Sequence, residues 1–328
     1  MKAYVQHRFG GPECLELTDV PAPVPAAGEV LVRVRATSVN PYDWHLLRGE
    51  PRVARLMPGL AGLRGPKFGI PGCDLAGQVA ATGPGVTQFR PGDDVLALVS
   101  YGCYAEYVTV PETLLARMPH NAGYELAAAV PMAALTALIG LRDTGRVESG
   151  QQVLVNGASG GVGTFAVQLA RAFGARADGV CRAANAELVR SLGADTVIDR
   201  GTADFTRCGK RYDLLLDIAG TRQVPACRRV LTPTGTMVLI GGPAGRWLQP
   251  AGHMFAAMAA GLLVRQRIAM ADTVSGPARQ ENLGTLAKLI EDGRVTPVIG
   301  ARYPFAELPQ AIADQESGRI PGKVVITL

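Results

Sequence analysis

Val153-Leu154-Val155-Asn156-Gly157-Ala158-Ser159-Gly160-Gly161-Val162-Gly163 is the stretch that decides the fold. An apolar run of strand character enters a turn of small residues. The turn then opens a helix whose apolar positions are Val162, Phe165, Ala166, Leu169 and Ala170. A dinucleotide pyrophosphate needs this sequence of events. Gly160 leaves the backbone bare for the anion, and Gly163 lets the helix pack closely on the strand. The unpaired N–H groups of the first helical turn face the anion, reinforced by the helix dipole. Ala158 stands where the simplest Gly-x-Gly-x-x-Gly has its first glycine, so the match is Ala-x-Gly-x-x-Gly, with Ser159, Gly161 and Val162 completing the cradle. A glycine-tight βα turn with no ligand is the bland alternative. The series of strand–helix units around the turn argues against it.

That series runs outward in both directions. Ala127–Leu141 is helix-like, and downstream Ala177–Cys181, Ala186–Leu192, Thr196–Asp199, Leu214–Ile218, Val224–Leu231 and Met237–Ile240 alternate strand with helix. Alternation at this spacing specifies an α/β domain with a doubly wound parallel sheet. The first 120 residues differ, alternating β-rich runs such as Val30–Val34, Gly77–Ala80 and Val95–Val99 with turns such as Pro91-Gly92-Asp93-Asp94. They read as a compact β barrel or sandwich. A helix near Leu283–Glu291 and an apolar closing strand, Lys323–Leu328, complete the chain, and the strand is expected to return to the first domain. With 328 residues, at roughly 100–200 per domain, two domains are expected.

Composition limits the function classes. Hydrophobic residues are 48% and charged residues 19%, so a packed core is within reach. Aromatics at 5% argue against a base-stacking surface, and a net charge of +5 suits a small anionic ligand better than a duplex, so no nucleic acid is expected. No apolar stretch reaches the roughly 20 residues of a membrane span, and the opening Met1–Gln6 reads as a strand rather than a secretory signal. Six scattered cysteines without a Cys-x-x-Cys pair read as reduced thiols of a cytoplasmic protein.

Cofactor choice turns on the end of the second strand of the parallel series. A carboxylate there would take the ribose hydroxyls of NAD. This chain instead has Gly179-Val180-Cys181-Arg182-Ala183-Ala184-Asn185, with Asp178 too early, inside the strand. Cys181 removes the repulsion an adenosine 2′-phosphate would meet, and Arg182 can pair with that phosphate. Arg200, just past the third strand, is a second candidate. A charge-assisted hydrogen bond is worth about 1.5–3 kcal/mol, so NADPH is favoured over NADH. For each arginine the alternative is an ordinary surface residue.

The turn Asn156–Gly163 resembles that of the zinc-free quinone oxidoreductases within the medium-chain dehydrogenase/reductase superfamily. Ser38-Val39-Asn40-Pro41-Tyr42-Asp43-Trp44 and Pro71-Gly72-Cys73-Asp74-Leu75-Ala76-Gly77 are similar to that family's two active-site loops. Ala105-Glu106-Tyr107, Leu135-Thr136-Ala137-Leu138 and Gly322-Lys323-Val324-Val325 agree as well. The resemblance implies a GroES-like β-barrel catalytic domain from residues 1–122 and 268–328, a Rossmann domain over 123–267, NADPH in the cleft, and a homodimer. It also implies that no zinc is bound, because Asn40 takes the place of the family's metal-ligating Cys and Cys73 that of its His. Two departures touch the cofactor: the Ser-Thr-Arg-Asn of relatives is Arg182-Ala183-Ala184-Asn185 here, and their usual Tyr is Arg200.

The chemistry implied is hydride transfer to a quinone, with the carbonyl polarised by hydrogen bonds. Asn40, Tyr42 and Asp43 are the catalytic candidates: Asn40 for a hydrogen bond to substrate oxygen or ribose, Tyr42 for a proton or a hydrogen bond to developing enolate charge, Asp43 for anchoring the loop or a relaying water. Asn-Pro-x-Asp is equally good turn chemistry. Thr136, Lys323, Gly241 and Gly242 match positions near the cofactor, and Tyr101 and Tyr104 either line the substrate pocket or pack beneath a loop. Cys73 is either a core filler or a thiol open to quinone alkylation. The basic segment Leu46–Ile70 reads as a lid or a solvated insertion. Trp247–Val264 reads as a cover helix or subunit interface, or as a membrane-surface face. Two rival functions remain: reduction of α,β-unsaturated carbonyls (an enone, enal or enoyl thioester), and a non-catalytic NADPH-binding sensor or scaffold.

Overall fold

The computed structural model describes residues 1–52, 55, 65–66, 69–242, 265–272 and 279–328. The chain divides into two compact units: Met1–Leu135 with Gly276–Gly293 and Pro297–Leu328, and Thr136–Ser275 with Arg294–Thr296.

In the first unit, β1 (Lys2–Gln6) and β2 (Leu15–Asp19) form an antiparallel pair. The main sheet comprises β3 (Glu29–Val39), β4 (Asp74–Thr82), β5 (Asp94–Leu98), β6 (Tyr107–Pro111), β7 (Leu115–Arg117) and, from the far end of the chain, β14 (Ile299–Pro304) and β15 (Lys323–Thr327). Its order is β14-β15-β3-β4-β5-β7, with β6 also paired to β3. The inward face of β3 supplies Val30, Val32 and Val34, which pack with Leu75, Val95 and Val110 in one fully buried cluster. Alternation along β3 aims those valines at the core. The closing strand does return to this unit, pairing antiparallel with β3 so that Val324 faces Val39.

In the second unit six parallel strands follow the order β10-β9-β8-β11-β12-β13. They are β8 (Gln152–Asn156), β9 (Arg176–Cys181), β10 (Thr196–Asp199), β11 (Tyr212–Asp217), β12 (Leu231–Leu239) and β13 (Arg267–Met270). Strand order reverses beside β8, and the turn after β8 opens α4 (Gly161–Ala172). Ligands bind at such a switch point, outside the carboxyl ends of the strands. Val153, Leu154 and Val155 are fully buried, as expected of a strand covered on both faces.

One expectation is corrected. Ala127–Leu141 is not one helix but α2 (Tyr124–Ala128), α3 (Pro131–Leu138) and a π-helical turn, Ile139–Thr144. Pro131 has no N–H to continue a helix and disfavours helical backbone in Val130, so it starts a new one. No helix among the described residues is long and apolar enough to cross a membrane. All six cysteines are free. Trp247–Val264, Arg64 and Lys67 lie outside the described residues. Of the other basic side chains between 46 and 70, Arg48 pairs with Glu316 at 2.8 Å. Arg55 folds back onto the carbonyls of Arg48 and Gly49 and over the ring of Phe9.

Candidate active site

The segment expected as a loop at Asn40–Trp44 is a helix start, α1 (Pro41–Arg48). Asn40 takes extended backbone at the cap, Pro41 sits where a missing N–H costs nothing, and the Asp43 carboxylate accepts from Asn40 N at 2.8 Å. The signal was present as Asn-Pro-x-Asp, since a carboxylate three residues past a capping Asn is a helix signature as well as a turn one.

A buried polar cluster gathers around Asn40 from distant parts of the first unit. Its Nδ2 donates to Asp74 Oδ2 at 2.9 Å and lies 3.3 Å from Asp43 Oδ2 and 3.4 Å from Cys73 Sγ. Lys323 Nζ donates to Asn40 Oδ1, to Asp74 Oδ2 at 3.1 Å and to the Val39 carbonyl at 3.4 Å. Asp74 also accepts from Ser38 Oγ and, on its other oxygen, from Met132 N at 2.8 Å. Sheet register explains the meeting: one step beyond the Val324–Val39 pair, Lys323 faces Asn40. Asp74 and Lys323 are 0% and 3% exposed.

This cluster holds one ammonium and two carboxylates, and Asp43 bears the imbalance. Burial first, then the charge of Asp74, raises the Asp43 carboxyl to about 6, opposed by the Asn40 N–H, Lys323 and Cys73. Burial and the two carboxylates push the Cys73 thiol well above its usual range, so it is neutral and poorly nucleophilic. Tyr104 packs in the core, its phenol raised by burial and by Asp43. Tyr101 is half exposed and lines a cavity of about 610 Å³ with Val20, Ile70 and Tyr107, and with none of Asn40, Tyr42 or Asp43. Tyr42 is partly buried; burial, Cys73 and Asp43 push its phenol up to about 12, against Arg279.

Asp43 gives a pH signature. Because its folded pKa exceeds the unfolded 3.8, the native state holds more protons than the unfolded state between pH 3.8 and about 6. Its contribution to stability therefore falls as pH rises through that window and is flat above it. The Asp43→Asn variant lacks this loss. Its stability relative to wild type, measured by urea unfolding, is expected to improve by roughly 2.4 kcal/mol between pH 4 and pH 7. A constant difference across that range would refute the assignment.

In the second unit the dinucleotide turn has the local geometry its sequence implies. The residue with positive φ (+98°) is Gly157, one place before Ala158, and Gly157 N and Ala158 N both donate to the Val180 carbonyl. Ala158 is buried, with its methyl against Gly179. At Gly163 an added Cβ would lie 2.7 Å from Ala158 backbone, whereas at Gly160 the only neighbour among the described residues is Gly157 O at 3.5 Å. Gly163 is thus glycine for packing, while the open side of Gly160 is a cradle that a Cβ would fill. No side chain caps α4 at Gly160, so its first amides are left for a ligand. These residues fit a dinucleotide pyrophosphate.

Cys181 pairs with Asp199 across β9 and β10, which sets the exposed Arg182 and Arg200 at adjacent strand ends. Neither makes an ion pair with a described residue. The Asp199 carboxylate between them is taken by the N–H groups of Ala183 and Gly201 and the Thr202 hydroxyl, which hold its pKa low. Asn185 Nδ2 donates to Ser159 Oγ at 3.1 Å, tying the loop after β9 to the turn after β8. Asp178 is buried on Lys210 and Tyr212. Gly241 and Gly242 follow β12, where a Cβ on Gly241 would overlap the Ile218 carbonyl. Thr136 is buried in α3.

Ser38 and Asp74, which lie in the two loops that resemble the family's active-site loops, join the cluster without a role that their sequence positions assign. A carboxylate inside the apolar run Cys73–Gly77 signals a buried partner, but the partner, Lys323, is 249 residues away.

Known proteins agree with this architecture. Residues 26–120 match the alcohol dehydrogenase GroES-like domain family, and residues 192–326 match the family described as zinc-binding dehydrogenase. The chain is 32% identical to a chloroplast envelope quinone oxidoreductase homolog of Arabidopsis thaliana, over 97% of this chain and 95% of that one. It is 30% identical to an NADPH-dependent alkenal/one oxidoreductase of the same plant, over 99% and 79%. The structure of the quinone oxidoreductase from Coxiella burnetii superposes with a TM-score of 0.86 at 26% identity, over 100% and 99%. Zinc does not fit the Asn40 cluster: an amide stands beside its single thiol, and the Lys323 ammonium already occupies Asp74 Oδ2 and Asn40 Oδ1. Among the described residues no group of three His, Cys, Asp or Glu is placed to hold a metal. With relatives matching from end to end and both characteristic units in place, the chain belongs to the medium-chain dehydrogenase/reductase superfamily, among its quinone oxidoreductase-like, nicotinamide-dependent oxidoreductases.

Proposed function

We propose that the chain reduces quinones with NADPH. The observation that carries the cofactor choice is the pair of exposed arginines, Arg182 and Arg200, on adjacent strand ends with no free carboxylate after β9. Gly157–Gly163 would hold the pyrophosphate, and Arg182 and Arg200 the adenosine 2′-phosphate. Hydride is what the bound cofactor supplies, from its nicotinamide ring. Tyr42, its phenol near 12, keeps its proton at neutral pH and donates a hydrogen bond from Oη to the substrate carbonyl oxygen, where negative charge develops. Asn40 and Asp43 hold the first turn of α1, and so the placement of Tyr42. The alkenal/one oxidoreductase relative supports a second reading, in which the acceptor is an α,β-unsaturated carbonyl compound.

The test is nicotinamide oxidation, NADPH against NADH, over a benzoquinone, an ortho-quinone, an enal, an enone and an enoyl thioester. Turnover of the quinones with NADPH, insensitive to chelator, is the expected result. Turnover confined to unsaturated carbonyls selects the second reading, and silence with every acceptor defeats both. In Arg182→Glu, kcat/KM for NADPH is expected to fall about 10- to 100-fold while that for NADH holds or rises. An equal loss for both cofactors would remove Arg182 from the phosphate site.

A further inference from the structure

The closing-strand lysine is expected near the cofactor, yet its three protons already have protein acceptors. Lys323 Nζ donates to the Val39 carbonyl, to Asn40 Oδ1 and to Asp74 Oδ2, which exhausts an ammonium. Asp74 is equally committed, with Ser38 Oγ, Asn40 Nδ2 and Lys323 on one oxygen and Met132 N on the other. A buried ion pair is weak evidence for stability, since apolar replacements often serve as well. Orientation is a different matter. An Asn amide is nearly the same shape when flipped, and only its surroundings tell oxygen from nitrogen. Here an ammonium stands at Oδ1 and a carboxylate at Nδ2, so the flipped amide would set like against like at both ends.

We propose that Lys323 and Asp74 form a buried ion pair whose work is to orient the Asn40 amide, making Lys323 a positioning residue of the active site and not an anion contact. This deepens the functional reading above and rests on Asn40 and the α1 turn standing at the reacting centre. The amide reaches α1 through Nδ2, 3.3 Å from the Asp43 Oδ2 that also accepts the Asn40 N–H at the helix start, and Tyr42 is the second residue of that helix. Loss of the amide's orientation therefore displaces the group that faces the substrate, and a misplacement near 1 Å costs about a hundredfold in rate.

Lys323→Met alone strands the Asp74 charge and risks unfolding. The paired variant Lys323→Met/Asp74→Asn removes both charges and keeps a hydrogen-bonding side chain at 74. It is compared with Asn40→Ala and with the triple variant. Three readouts are taken: kcat, NADPH Kd by fluorescence quenching, and the Asn40 side-chain amide cross-peak in 15N-labelled protein. The paired variant is expected to lose about a hundredfold in kcat, hold Kd within about twofold and shift the cross-peak, while the triple variant falls no further than Asn40→Ala. A tenfold weaker NADPH affinity with kcat retained would overturn the proposal in favour of an anion contact. Losses that multiply in the triple variant, a full-rate Asn40→Ala or an unmoved cross-peak would also overturn it. The cross-peak needs no turnover, so a wild type inactive on every acceptor removes the functional reading and leaves this inference still decided by the spectrum.

Discussion

Gly160→Val is expected to bind NADPH about a hundredfold more weakly than wild type while the cofactor-free protein melts almost unchanged. The backbone at Gly160 is extended, so a branched side chain is conformationally allowed there, and among the described residues its new Cβ meets only Gly157 O, at 3.5 Å. Folding therefore loses no more than about 1 kcal/mol, the cost of a poor residue at a helix cap. Binding loses more, because the side chain fills the space through which the pyrophosphate reaches the amides of α4. Forfeiting charge-assisted hydrogen bonds there costs about 3 kcal/mol, or roughly a hundredfold. Gly163→Ala is the reciprocal case. Its Cβ collides with the Gly157–Ala158 backbone, so the cofactor-free protein itself is expected to lose about 1–3 kcal/mol. Calorimetry of the two variants, with and without NADPH, separates the roles. Equal destabilisation by both would mean that neither glycine is reserved for a ligand.

Asp74→Ala is expected to be among the most destabilising single substitutions in the first unit, about 3–5 kcal/mol by denaturant unfolding. It leaves the Lys323 ammonium buried without its counter-charge and removes the acceptor of Ser38 Oγ, Asn40 Nδ2 and Met132 N at once. The exposed pair Lys2–Asp19 is the control: Asp19→Ala is expected to give no resolvable change, since water replaces the partner. A similarly silent Asp74→Ala would mean that water enters the cluster and takes the place of the carboxylate.

Legibility followed distance along the chain. The turn Gly157–Gly163 was readable because strand, turn and helix are contiguous and each glycine has a local reason. Even so, the positive φ belongs to Gly157 rather than to the position of Ala158, which only the backbone reveals. The parallel strands were found from their apolar runs, and the return of the closing strand from its pattern. Ala127–Leu141 misled because alanine-rich sequence favours helix on both sides of Pro131, and composition hides the break. Tyr104 carries no local sign of whether it faces ligand or core. Its burial is decided by partners such as Tyr4, Leu47 and Leu308. The Asp74–Lys323 pair was beyond reach of spacing altogether, since sheet register alone brings the two together.

That register also bears on how the molecule is made. The ribosome delivers Asp74 some 249 residues before Lys323. At about 5–20 residues per second that is an interval of roughly 12–50 s. Throughout it, the segments carrying Ser38, Asn40 and Asp74 hold a carboxylate whose lysine has not yet been made. Until then Asp74 has no ammonium beside it, although the second unit, encoded largely in between, is already synthesised. Pairing of the last strand with β3 then brings one ammonium to the Asp74 carboxylate and to the Asn40 amide together.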